Sequence, residues 1–278
     1  MCVGAGAAPW DVRPWSHGPA ASNVAGMTAV DGEAVLPDVA RFPGLVRTGA
    51  WAALASVLMI VVQVGVYTLW PPPAVDDAQA YLGLLVESPL HGLVTLDLLY
   101  VVSNVLVFLL YLALAVALWR VSGSGVVVAL ALGTLGMAAY MASVRPVEML
   151  ALAESWETAD GPARVALEAT AEGMLATWTG TAFDVYYVFN FASLLVFALL
   201  MHRSRVFSRA TAWWGLVAAA LMAVPSNVGV VGLVLAMASL APWSVFAVLV
   251  GRRLLALLRE PVTAPSVAPP SRAEVEVA

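Results

Sequence analysis

At 278 residues the chain has the length of one large globular domain or two small ones. Its composition excludes an ordinary soluble fold: 62% of the residues are hydrophobic and 11% are charged, against roughly 45–50% and about 25% in typical soluble domains. A mean hydropathy of +0.89 points to a multi-pass membrane protein, and a net charge of −5 without a basic stripe argues against nucleic acid as a partner.

The absent residue types narrow the chemistry. All 13 basic residues are Arg, so lysine Schiff bases and the phosphate-gripping Lys of a P-loop are excluded. Cys2 is the sole cysteine, which leaves no intrachain disulfide, thiolate zinc site or Cys-ligated cluster. The expected topology sets His91 and His202 at opposite membrane faces, too far apart to share a haem. No cofactor is expected.

Along the chain, residues 1–46 lack an apolar run long enough for a signal-peptide core and are rich in Gly, Ala and Pro. They read as a disordered cytoplasmic tail. Met27 opens a sensible start, which raises the hypothesis that residues 1–26 over-extend the reading frame. An intact native mass beginning at Met1 would dispose of it.

A helix needs about 20 apolar residues to cross the hydrocarbon core. Residues 48–70 are uncharged and stop at Pro71-Pro72-Pro73, which cannot continue a helix. Residues 78–90 mix apolar side chains with Gln79, Glu87 and Pro89, as in a short interfacial helix. A second span runs from 91 to 119, interrupted only by Asp97, and a third from 125 to 144, ending at Arg145-Pro146. The acidic stretch 147–176 predicts a helix over 162–175, with Pro162 in its first turn and Glu168 and Glu172 stacked four apart. A fourth span covers 177–201 and contains Asp184. Residues 210–251 carry no charge and are too long for one helix, so they predict a hairpin turning at Pro225-Ser226-Asn227. Residues 260–278 read as a second disordered cytoplasmic tail.

The expected fold is therefore an all-α membrane protein whose domain, residues 47–259, has six transmembrane helices. An outer interfacial helix joins helices 1 and 2, and a longer, partly helical outer loop joins helices 3 and 4. Arg41, Arg47, Arg120, Arg203, Arg205, Arg209, Arg252, Arg253 and Arg259 fall on one side of this arrangement, and only Arg145 and Arg164 on the other. The positive-inside rule then makes both termini cytoplasmic. Trp51, Trp119, Trp213 and Trp214 fall at the inner interface, and Trp70 and Trp178 at the outer one, where indole rings favour the headgroup level.

With the spans placed, several stretches occur in a telling order: Arg145-Pro146-Val147-Glu148 and Met149-Leu150-Ala151-Leu152, then Thr179-Gly180-Thr181-Ala182-Phe183. Met201-His202-Arg203-Ser204-Arg205-Val206-Phe207-Ser208-Arg209 follows, then Val228-Gly229-Val230-Val231-Gly232-Leu233 and Gly251-Arg252-Arg253-Leu254-Leu255. Over roughly residues 47–255 the chain resembles the bacterial integral-membrane family catalogued as domain of unknown function 4386. Members usually carry an Arg-x-x-Glu element at the end of the third helix, and Arg145 and Glu148 stand in that place. The resemblance implies a six-helix fold in the bacterial inner membrane and brings no reaction with it.

A charged residue at a helix centre costs at least about 2.5 kcal/mol, so Asp97 and Asp184 are the informative positions. Both are expected roughly 10 Å below the outer surface at about 1.5 Å per residue. At 100° per residue Asp97, Tyr100, Asn104 and Tyr111 share one stripe of helix 2; Thr177, Thr181, Asp184 and Tyr187 share one of helix 4, with Asn190 beside it. Arg145 and Glu148 enter from the end of helix 3, and Asn227 from the helix 5–6 turn. These residues predict one outward-facing acidic pocket between helices 2, 3 and 4. Three carboxylates there would face one obligate cation, Arg145, with His91 as a second. Such an imbalance calls for a retained proton or a bound cation.

Three functions compete. The favoured one is binding or transport of a small molecule or cation by a cell-membrane protein, transport calling for a homodimer. An intramembrane enzyme would use one Asp as general acid on a lipid or isoprenoid, the other as a stabilising carboxylate. A non-catalytic subunit would use the same polar residues only to hold helices together. The acidic run 148–172 lacks ligands at alternate positions and reads as a solvated face, not a calcium site.

Overall fold

The computed structural model describes residues 36–260. The expectations for residues 1–35 and 261–278 lie outside the described residues. Among the described residues the chain is helical and contains no strand.

The helix boundaries follow local chemistry. α1 (Leu36–Arg41) and the start of α2 (Pro43–Leu69) fall inside the stretch read as the N-terminal tail. Asp38 on α1 is bonded to the Arg120 guanidinium beyond the fifth helix. Proline opens α2 at its first turn, where its missing N–H costs nothing, and Pro71-Pro72-Pro73 closes it. Asp77 caps α3 (Ala78–Glu87) by accepting from the Ala80 N–H at 2.9 Å. α4 (Pro89–Thr95) ends before Asp97, and α5 (Leu98–Leu118) begins after it. The second span is thus split, because Asp97 adopts a left-handed backbone, φ 63° and ψ 21°. It is the one non-glycine residue with positive φ among the described residues, and Asp tolerates that region better than most residue types.

Ser122 caps α6 (Gly123–Ser143) through the Gly125 N–H. Pro146 then starts a separate helix, α7 (Pro146–Glu157), which was not expected. α8 (Gly161–Trp178) contains the helix foreseen in the acidic stretch, and α9 (Thr181–Arg203) the fourth span. α10 (Arg209–Leu221), capped by Ser208, and α11 (Gly229–Leu257) form the hairpin, turning through the expected Pro225-Ser226-Asn227.

Five helices are long and apolar enough to cross a membrane: α2, α5, α6 continued by α7, α8 continued by α9, and α11. α10, at 13 residues, spans only about 20 Å.

Six helices pack side by side in chain order: α2 on α5, α5 on α6, α6 on α9, α9 on α10, α10 on α11, and α11 back on α2. They form a closed ring. Glycines let neighbours approach: a Cβ on Gly49 would lie 2.3 Å from the Ala113 Cβ and 2.7 Å from the Leu109 carbonyl, and one on Gly251 would lie 2.9 Å from the Ala50 carbonyl. Small residues serve the same end in membrane helix packing. At this end, the N-terminus of α2 and the C-terminus of α5, the interior is filled by Val46, Ala50, Leu114, Leu118, Phe197, Met201, Val250 and Leu254, all fully buried. Trp51, Trp119, Trp213 and Trp214 are exposed there. At the opposite end α3, α4, α7 and α8 pack on one another beside the ring. Trp178, expected at an interface, is instead buried edge-on against Tyr81.

Candidate functional site

The second end of the ring is hollow. A pocket of about 430 Å³ lies between α2, α5, α9 and α11, with Met222 and Ser226 of the α10–α11 connection completing its wall. Of the expected site residues it brings together Asp97, Tyr100, Asn104 and Tyr187, together with Tyr111 and Asn190. Tyr100, Asn104 and Tyr111 of the expected helix 2 stripe line it from α5, while Asp97 stands just before that helix begins.

Asp97 is held from two sides. The Tyr67 hydroxyl of α2 donates to one carboxyl oxygen at 2.9 Å, and the Tyr140 hydroxyl of α6 donates to the other at 2.5 Å. Gln63 donates to the Tyr67 oxygen at 3.4 Å. The side chain makes no capping bond to α5, although its carbonyl accepts from Tyr100 and Val101. The positive end of the α5 dipole still favours the carboxylate. The indole N–H of Trp178 lies beside the same group without a partner at hydrogen-bond geometry. A carboxylate has about four lone-pair positions, so two remain open. No Arg, Lys or His lines the pocket.

Tyrosines continue the wall. The Tyr100 and Tyr186 hydroxyls are 2.8 Å apart, and the Tyr100 ring stands edge-on to those of Tyr140 and Tyr186. Tyr187 donates to the Ser226 hydroxyl at 3.0 Å. Asn104 and Asn190 each donate to the backbone carbonyl four residues earlier. That commitment leaves the Asn104 Oδ1, fully buried, with no donor.

The remaining expected residues lie outside the lining. Asp184 accepts from the Asn227 amide at 3.0 Å, and the same amide donates to the Thr179 carbonyl. Asp184 thus ties the α10–α11 turn to the start of α9 and does not line the pocket. Thr181 is exposed at the first position of α9. Arg145 and Glu148 are both exposed, and no salt bridge joins them among the described residues, because Pro146 separates them from the continuous helix that would stack them. His91 packs against Trp70, ring centres 5.8 Å apart, away from the pocket. The helix 2, 3 and 4 arrangement is corrected accordingly: α6 contributes only Tyr140, behind Asp97, while α2 and α11 supply two walls.

Gln63, Tyr67, Tyr140, Ser239 and Trp243 were not foreseen. Gln63 and Tyr67, four apart in the mostly apolar second half of α2, carried a readable signal. Ser239 and Trp243 on α11 show the same spacing.

Searches with this chain match no family model, no curated protein and no solved structure.

Proposed function

We propose that the chain is a multi-pass cell-membrane protein that binds a small molecule in this pocket, with Asp97 as the anchoring charge. The observation that carries the reading is a roomy pocket holding one carboxylate and no cationic side chain. A buried charge is usually paired, and here the hydroxyls of Tyr67 and Tyr140 compensate only part of it. In this reading the Arg-rich, tightly packed end faces the cytoplasm with both termini, and the pocket end faces outward. α10 then makes a sixth crossing, its missing length supplied by residues 222–228. Non-helical backbone is tolerated at membrane depth where it lines a cavity, and Met222 and Ser226 do so. The resemblance to domain of unknown function 4386 fits the same six-crossing plan. Transport, through a homodimer, is an extension of binding that requires the closed end to open.

A second reading has its own support: Tyr67, Asp97 and Tyr140 join α2, the α4–α5 break and α6, so Asp97 can act as glue between helices. The two-acid enzyme loses its basis, because Asp184 does not line the pocket.

Native mass spectrometry in mild detergent separates the two. Binding predicts a co-purified small mass in the wild type that Asp97→Asn loses and Asp184→Asn keeps. A bare wild-type spectrum, with Asp97→Asn melting earlier and otherwise unchanged, would assign Asp97 to structure alone.

A further inference from the structure

The pocket has exposed lining residues on the flank of the ring, and exposed Thr68, next to the last residue of α2, lines it as well. Val64 of α2 is 49% exposed and Met237 of α11 is 55% exposed, and both line the pocket. Val64 stands five residues before the end of α2, and Met237 eight residues after the start of α11. At about 1.5 Å per residue this pair sits roughly 8–12 Å below the helix ends. The surrounding surface is bare hydrocarbon, with Leu58, Val61 and Val62 on one side and Val230 and Val234 on the other, all exposed. α2 has no buried residue beyond Ser56, so its last turns stand away from α11 while still walling the pocket. A ligand entering between Val64 and Met237 arrives from lipid, not from water.

Inside, one charged acceptor waits at the N-terminal end of α5. Asp97 has open lone pairs and no cation beside it. Asn104 lies two turns further along and is 2% exposed, its acceptor oxygen sealed from the pocket. Between them lie the rings of Tyr100 and Tyr186, whose faces attract cations. A metal ion is a poor match, because no group of three or more His, Cys, Asp or Glu side chains lies together among the described residues. A ligand that brings its own positive charge and its own N–H donors fits the Asp97 carboxyl.

Resting on the binding reading above, we infer that the occupant is an amphiphilic amine: a protonated nitrogen on an aliphatic tail, drawn from the bilayer through the mouth between α2 and α11. The ammonium group sits opposite Asp97 and the tyrosine rings, and the tail lies along Ile60, Val64, Met237 and Leu240. The tail gains little by leaving lipid for protein, since both are apolar. Its role is to concentrate the ligand at the depth of the mouth, and discrimination rests on the charged head.

The test uses the full chain in phosphatidylcholine nanodiscs at neutral pH, with radiolabelled dodecylamine, dodecanol and propylamine as probes and empty nanodiscs as the partitioning control. Dodecylamine is expected to bind saturably, one per chain. Asp97→Asn should weaken it about tenfold or more, and Val64→Trp should slow its entry. If propylamine binds as well as dodecylamine, the bilayer route is overturned while pocket binding stands. If dodecanol binds as well and Asp97→Asn changes nothing, the cationic head is overturned. If no probe binds, the amphiphilic amine is excluded, and the co-purified mass alone then decides whether the pocket binds something else. The wild-type probe ranking needs no variant, so it stands even where Asp97→Asn fails to fold.

Discussion

The same six helices build two unlike ends. At one end Gly49 and Gly251 bring α2 against α5 and α11, and Leu, Ala and Phe side chains fill the interior without residue. At the other, tyrosines and Trp243 hold the helices apart but leave a pocket of about 430 Å³. The difference is one of side-chain volume and polarity along each helix. Small residues let backbones meet; large residues whose hydroxyls must reach partners cannot interlock as closely. α5 makes the point within one element, since Leu110, Leu114 and Leu118 are fully buried while Tyr100, Asn104 and Val107 face the pocket.

The contrast is open to direct attack. Gly49→Val should be the most damaging change, because its Cβ meets the Ala113 Cβ and the Leu109 carbonyl. A loss of at least about 3 kcal/mol, or no folded protein, is expected from melting and size-exclusion in detergent. Leu254→Ala at the filled end should cost about 2–5 kcal/mol, whereas Leu240→Ala on the pocket wall should cost less than about 1 kcal/mol, since no new cavity is enclosed. Equal losses at the two positions would show that the hollow end is packed after all. Tyr140→Phe removes a hydrogen bond to a carboxylate and should cost about 1.5–3 kcal/mol. Tyr67→Phe should cost less, its bond being longer and nearer the mouth. Asn227→Ala should cost about 1 kcal/mol and leave any pocket ligand in place, a result that would confine Asp184 to the turn.

Much of this plan was legible in the residues. The lengths of apolar runs gave the five long apolar helices, Pro225-Ser226-Asn227 gave the hairpin, and 100° periodicity gave the Tyr100–Asn104–Tyr111 face. What stayed hidden has a common cause: periodicity fixes positions within a helix but not the rotation of one helix against another. Asp184 was expected level with Asp97 on a shared pocket, yet α9 turns it toward Asn227 and offers Tyr186 and Tyr187 instead. The break at Asp97 was also silent, because neither Gly nor Pro stands there, and the residue itself takes the left-handed conformation. The stretches of α2 and α11 that wall the pocket carry no charge, only paired polar residues one turn apart, so no charge marks them.

Ring closure also sets an order of assembly. Neighbours in the ring follow one another in chain order, and within the ring only the seam between α11 and α2 joins its first helix to its last. Until α11 arrives, α2 has one unpartnered flank and the pocket has one missing wall. An arrested nascent chain shorter than α11 would therefore hold Asp97 in an open trough facing lipid, a species that cellular quality control can recognise. The last helix of the described residues is the one that turns an array of hairpins into an enclosure.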